Sequence, residues 1–158
     1  MNIVQTIIYL VLFFNPFLFA NESEINFVSQ FMEKTPQTEK GIKLFVDENN
    51  NDALNYFISL SDKGNSAGST NAGIIYEYIE KDDEKAMHYY SLAAKRGSPM
   101  GQYNYGVLLY YVKENPIEAY KWILCSAEQN YSEAIIAKQN MKNDNIITDE
   151  QIKEAEAL

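Results

Sequence analysis

One pattern is written out twice without a gap between Gly64 and Ser132, and it confines the chain to few architectures. Gly68 is matched by Gly101, Asn71 by Asn104, Gly73 by Gly106, Tyr78 by Tyr111, Ala86 by Ala119 and Ala94 by Ala127, each pair 33 residues apart. A period of roughly 20 to 50 residues is the signature of stacked repeats, whose units each need a neighbour to cover an apolar face.

The unit reads as two helices. Ala72, Ile75, Tyr76 and Ile79 make the i, i+3, i+4, i+7 stripe of a first helix, and Tyr105, Leu108, Leu109 and Val112 repeat it. A second helix occurs three times. Asp52 is expected to cap Ala53, Tyr56, Phe57, Leu60 and Ser61, ended by Gly64; the later copies are Ala86, Tyr89, Tyr90, Ala93 and Ala94, ended by Gly97, and Ala119, Trp122, Ile123, Ser126 and Ala127, ended by Asn130. Glycine and asparagine are the residues that most readily take the left-handed conformation such an ending needs. Gly73 and Gly106 interrupt first helices at a cost of up to about 1 kcal/mol each relative to alanine, which points to close helix approach. In the earliest copy Gly41 stands one residue nearer its alanine, Ala53, so its inter-helix turn is one shorter.

On either side of these copies the pattern loosens. Ile3 to Ala20 is an almost continuous apolar run, read as a signal peptide over residues 1–20, with an uncleaved anchor as the alternative. Residues 21–34 carry an N-terminal helix from Ser23 to Lys34, with Ile25, Val28, Phe31 and Met32 on one face and Asn21 or Ser23 as its cap. Thr35 caps and Pro36 opens a second helix to about Asp47, after which Asp47 to Asp52 is a polar turn. The repeat domain spans 35–142 and closes on a polar helix, Ser132 to Lys142, whose apolar remnants are Ala134, Ile135 and Ala137. Residues 143–158 form a capping helix with a Thr148–Gln151 capping box and an Ile147–Ile152 staple. The fold class is all-α: an α/α solenoid of stacked antiparallel helix pairs, about three repeats with a C-terminal capping helix.

The second-helix signature resembles the Sel1-like repeat, a relative of the tetratricopeptide repeat. Ala86, Tyr89-Tyr90, Ala93-Ala94, Gly97, Gly101-Gln102 and Tyr105-Gly106 stand at that family's spacing; Ala119, Trp122, Ala127 and Ala134 follow it, as do Ala53, Tyr56, Gly64, Gly68 and Gly73. The glycine-rich loop that usually joins the two helices is replaced by residues 79–83 and 112–116, which shortens the period towards that of a tetratricopeptide repeat. The resemblance implies a non-enzymatic module for protein–protein interaction, with the first helices lining the concave side. Carried onto this chain, the groove positions are Thr70, Ile74, Glu77, Tyr78, Met100, Tyr103, Val107, Tyr110 and Tyr111. Tyrosine and methionine suit such a surface, since they give large contact area. Tyr76, Tyr89, Tyr90 and Tyr105 read as core, whereas Tyr78, Tyr103, Tyr110 and Tyr111 stay open between binding surface and ordinary packing.

Composition narrows the function further. A formal net charge of −9 disfavours a nucleic-acid partner, because phosphate binding needs clustered Lys and Arg. Cys125 is the single cysteine, so no intramolecular disulfide forms; it reads as a buried small hydrophobe, with an intermolecular bridge or reactive thiol as alternatives. His88, the single histidine, lies off the apolar stripe, and nothing pairs it with a nucleophile. No metal or cofactor is expected. The expected partner is a protein or peptide, in the bacterial periplasm or outside the cell, in a scaffold or regulatory role in an envelope process. Membrane contact is expected only through an uncleaved leader. An immunity or inhibitor protein against a secreted effector is the alternative role. The β-lactamase-like penicillin-binding activity of cysteine-rich relatives is disfavoured, since those staple each repeat with a cysteine pair.

Overall fold

The computed structural model describes residues 22–157; the predicted leader and the Asn21 cap lie outside them. The described chain forms α1 (Glu22–Ser29), α2 (Glu39–Val46), α3 (Asn50–Asp62), α4 (Ser66–Tyr78), α5 (Asp83–Lys95), α6 (Pro99–Tyr111), α7 (Pro116–Glu128), α8 (Ser132–Asn143) and α9 (Asp149–Glu156). The helices from α2 to α8 pack consecutively, and α9 folds back against α7.

The 33-residue period is written into the caps as well as the core. Asn65 and Ser98 accept from the N–H groups of Gly68 and Gly101, and Asp82 and Asn115 from those of Lys85 and Glu118. Each second helix ends in a Schellman turn: Gly64, Gly97 and Asn130 have φ of 83°, 84° and 63°. Their N–H groups reach the carbonyls of Ser61, Ala94 and Ala127, while the next N–H reaches Leu60, Ala93 and Ser126. Between first and second helices the left-handed position is held by Glu48, Lys81 and Glu114, with φ of 60°, 55° and 50°. A glycine would suit those turns better, and its loss is the local cost of the shortened unit. The turn from α2 to α3 is one residue shorter than its later copies, as the glycine spacing predicts.

Packing explains the glycines. In successive copies Gly41, Gly73 and Gly106 receive Phe57, Tyr90 and Ile123 from the second helix; an added Cβ would stand 2.5, 2.6 and 2.8 Å from those side chains. Gly68 and Gly101 do the same between units, where a Cβ would come 2.5 Å from Leu60 Cβ and 2.4 Å from Ala93 Cβ. One polar contact also recurs with changed chemistry. Arg96 Nη1 donates to Ser69 Oγ at 2.7 Å, and Ser69 Oγ lies 2.8 Å from Ser61 Oγ. One period on, Gln129 Nε2 donates to Gln102 Oε1 at 2.7 Å and Gln102 Nε2 to the Ala94 carbonyl at 3.3 Å. First helices α4 and α6 pack on each other more closely than the second helices α5 and α7 do, which puts the first helices on the inner side of the curve.

Several sequence expectations need correction. The N-terminal helix stops at Ser29 instead of Lys34, because its last N–H groups switch to i−3 carbonyls and Asn71 then takes both backbone groups of Glu33. Phe31 consequently stays exposed, whereas Val28 and Met32 are buried. Thr35 and Thr38 cap each other reciprocally, and the α-helix proper begins only at Glu39. Asn49, not Asp52, precedes α3; Asp52 lies in its first turn and accepts from Asn49 Nδ2 at 2.8 Å. Ile135 is exposed, since the stack ends without a further pair to cover it. Cys125 is exposed as well: it shares its register with Ser59 and Leu92, exposed and half-buried respectively. Partial desolvation, followed by the Glu128 charge, raises its thiol pKa, so the group is not activated. The Thr148–Gln151 capping box forms as expected, and Ile147 and Ile152 are both buried.

Candidate functional site

Asn71, midway along α4, is fully buried, and its amide is committed to a single residue of the segment between α1 and α2. Its Oδ1 accepts from the Glu33 backbone N–H at 2.7 Å, and its Nδ2 donates to the Glu33 carbonyl at 3.0 Å. The Glu33 side chain continues towards α6, where Ser98 Oγ donates to Oε2 at 2.8 Å. Ser98 Oγ also lies 3.2 Å from Thr70 Oγ1. Asn71, Thr70 and Ser98 thus make a seat for one residue of non-helical chain, gripping backbone and side chain together.

One period further along, the same positions hold Asn104, Tyr103 and Tyr131. The Tyr103 and Tyr131 rings are tilted against each other with centroids 5.6 Å apart. Asn104 is half-buried and hydrogen-bonds Tyr90. Tyr90 Oη donates to Glu77 Oε2 at 2.7 Å, and Tyr78 also hydrogen-bonds the Glu77 carboxylate. In the first copy Phe57 stands where Tyr90 stands here, so no phenol competes for Asn71.

Burial sets the electrostatics of this second position. It raises the Glu77 pKa against the lowering effect of the two phenol hydrogen bonds. Burial, then the Glu77 charge, holds Tyr78 and Tyr90 well above the ordinary tyrosine range. Tyr103 is pushed up to about 12, by burial first and by Glu133 second, and Tyr131 is raised by the same two causes. These tyrosines are neutral donors under ordinary conditions, set beside carboxylates.

The structure divides the nine expected groove residues. Thr70 and Ile74 are 0% and 1% exposed, because the next unit packs over them, so neither reaches a partner. Glu77, Tyr78 and Tyr103 gather around the second position, half-buried, with Met100 and Val107 half-buried elsewhere on α6. Tyr110 and Tyr111 form a separate edge-to-face pair with centroids 4.8 Å apart, Tyr111 being 65% exposed. They line an open cleft of about 380 Å³ with Glu114 and Pro116. Of the tyrosines read as core, Tyr90 is fully buried, Tyr76 and Tyr89 stack half-buried at 5.4 Å, and Tyr105 sits edge-on to Trp122. The sequence reading missed Glu33, Ser98, Asn104 and Tyr131. A signal was present in the recurrence of asparagine at 71 and 104 within otherwise apolar stripes.

The Sel1 repeat pattern matches residues 38–65, 72–98 and 99–131, more than half of the chain. The protein belongs to the Sel1 repeat family. Repeats of this family are generally modules for protein–protein interaction, which agrees with a site made of amides, phenols and backbone-gripping contacts. Neither the curated proteins nor the solved structures give a match to this Sel1 chain. Among its described residues no group of three or more His, Cys, Asp or Glu is placed to hold a metal ion, and no helix is long and apolar enough to cross a membrane.

Proposed function

We propose that this Sel1 repeat protein is a non-enzymatic interaction module that holds a protein partner against the inner face of its first helices. It works outside the cytoplasmic membrane of a bacterium, as a scaffold or regulator of an envelope process. The observation that carries this reading is the seat on Asn71: the chain already binds a non-helical segment of itself on this face, and the face continues past that segment into half-exposed tyrosines. The apolar run from Ile3 to Ala20 supports export. His88 is exposed and packs edge-on against Tyr89 at 5.1 Å, and Cys125 has a raised pKa, which leaves no activated nucleophile in the reading.

Site-specific photo-crosslinking in intact cells tests both parts. A crosslinker at Tyr110 or Tyr111 should yield one discrete adduct in the envelope fraction, and a crosslinker at His88 on the outer face should not. Equal adducts from both faces would overturn the groove, and an adduct confined to the cytoplasm would overturn the location.

A further inference from the structure

The two seats differ by substitutions that change the class of residue each can accept. In the first, the hydroxyls of Thr70 and Ser98 are small, and Ser98 donates to the Glu33 carboxylate; an acidic residue fits. In the second, bulky phenols replace both small hydroxyls, and the carboxylates of Glu77 and Glu133 stand beside them. Both charges lie near enough to Tyr103 to disfavour its ionisation. An acid placed here would meet like charge. A planar cation would meet aromatic faces and carboxylate acceptors together.

The backbone grip carries over. A side-chain amide has two N–H donors and an acceptor oxygen, so the contact of Asn104 with Tyr90 is compatible with the paired bonds that Asn71 makes to Glu33. The net charge of −9 adds long-range attraction for a basic partner.

We infer that Asn104, Tyr103 and Tyr131 seat an arginine-bearing stretch of a protein partner, with Asn104 gripping the arginine's backbone and its guanidinium stacked on the outside of the ring pair, towards the Glu77 and Glu133 carboxylates. This rests on the interaction reading above and names the chemistry of the partner.

The test uses three capped hexapeptides, Gly-Ser-Xaa-Gly-Ser-Gly, with arginine, citrulline or glutamate at Xaa, titrated into the protein and followed by NMR at the Asn104 side-chain amide. The arginine peptide should bind about tenfold more tightly than the citrulline peptide, with the glutamate peptide weaker still. Asn104→Ala should abolish the site. Glu133→Gln, a change at an exposed position that leaves the fold intact, should weaken arginine binding by about three- to tenfold. Equal binding of the arginine and glutamate peptides would overturn the inference, and so would full arginine binding by Asn104→Ala with its melting temperature unchanged. Crosslinking at Tyr110 and Tyr111 with no arginine preference at Asn104 removes this inference alone. Arginine binding at Asn104 without a groove-specific crosslink removes the broader reading instead.

Discussion

The two seats along the inner face share a framework and differ in what fills them. At the first, Asn71 is closed over by the chain itself, with Glu33 in place and Phe57 at the register that Tyr90 holds one period on. At the second, the equivalent asparagine is half-buried, Tyr90 stands behind it, and two rings take the place of two hydroxyls. A further period on, Asn104 is answered by Ala137 and Tyr103 by Ile136, which is 55% exposed because the stack ends there. The same backbone geometry therefore yields a structural lock at the N-terminal end, a polar and aromatic surface in the middle, and a bare apolar edge at the other end. Repeats allow this because each unit's framework is held by nearest-neighbour packing, which leaves the groove positions free to vary.

The largest expected effect follows from breaking the first seat. Asn71→Ala leaves the Glu33 N–H without its partner and its carbonyl with the Thr38 hydroxyl alone, and opens a small void in a fully buried position. The loss should be about 2 to 3 kcal/mol, read as a fall in melting temperature of roughly 5 to 10 °C. Hydrogen exchange should also accelerate selectively in residues 30–38, where the seated segment lies. A melting temperature within a degree or so of the parent would show that the segment contributes little to the folded state.

This seat also marks where the sequence ceases to be legible. The period alone places the helices: α4 and α6 begin one period apart, as do α3, α5 and α7. It also places the glycines that receive Phe57, Tyr90 and Ile123, and the left-handed ending at Asn130. Glu33 escapes because the segment that carries it lies outside the repeated pattern, so no periodicity can point at its partner 38 residues away. Thr70 and Ile74 read as groove residues because they flank the apolar stripe. They are buried because a middle unit is covered from both sides, a fact of stacking that one helix's pattern does not contain. Cys125 misleads for the converse reason. Its residue type suggests the interior, while its register, shared with Ser59 and Leu92, leads towards solvent.

A smaller effect is expected from converting the second seat towards the first. Tyr90→Phe restores the residue type found at Phe57 and removes the phenol that donates to Glu77 and bonds Asn104. The ring still fills the space against Gly73, so packing is preserved. The cost is one charge-assisted hydrogen bond at a half-buried carboxylate, about 1 to 2 kcal/mol by chemical denaturation. A neutral or stabilising outcome would show that water replaces the phenol at no cost.

The smallest expected effect is a matter of sign. Burial raises the Glu77 pKa above its ordinary value of 4.5, with Asp83 raising it slightly and Lys81 opposing. The folded state therefore holds this proton more tightly than the unfolded chain does. The stability gained by protonation is fully present below 4.5 and is lost as pH rises through the folded-state pKa. Glu77→Gln removes the titration while keeping a side-chain oxygen to accept from Tyr90. At neutral pH the variant should match or exceed the parent in melting temperature, and acidification towards 4.5 should shift the difference in favour of the parent. If the parent instead gained on the variant as pH rose, the phenol hydrogen bonds would outweigh burial at this carboxylate. The second seat would then be a preorganised anion in its own right, better suited still to a cationic side chain.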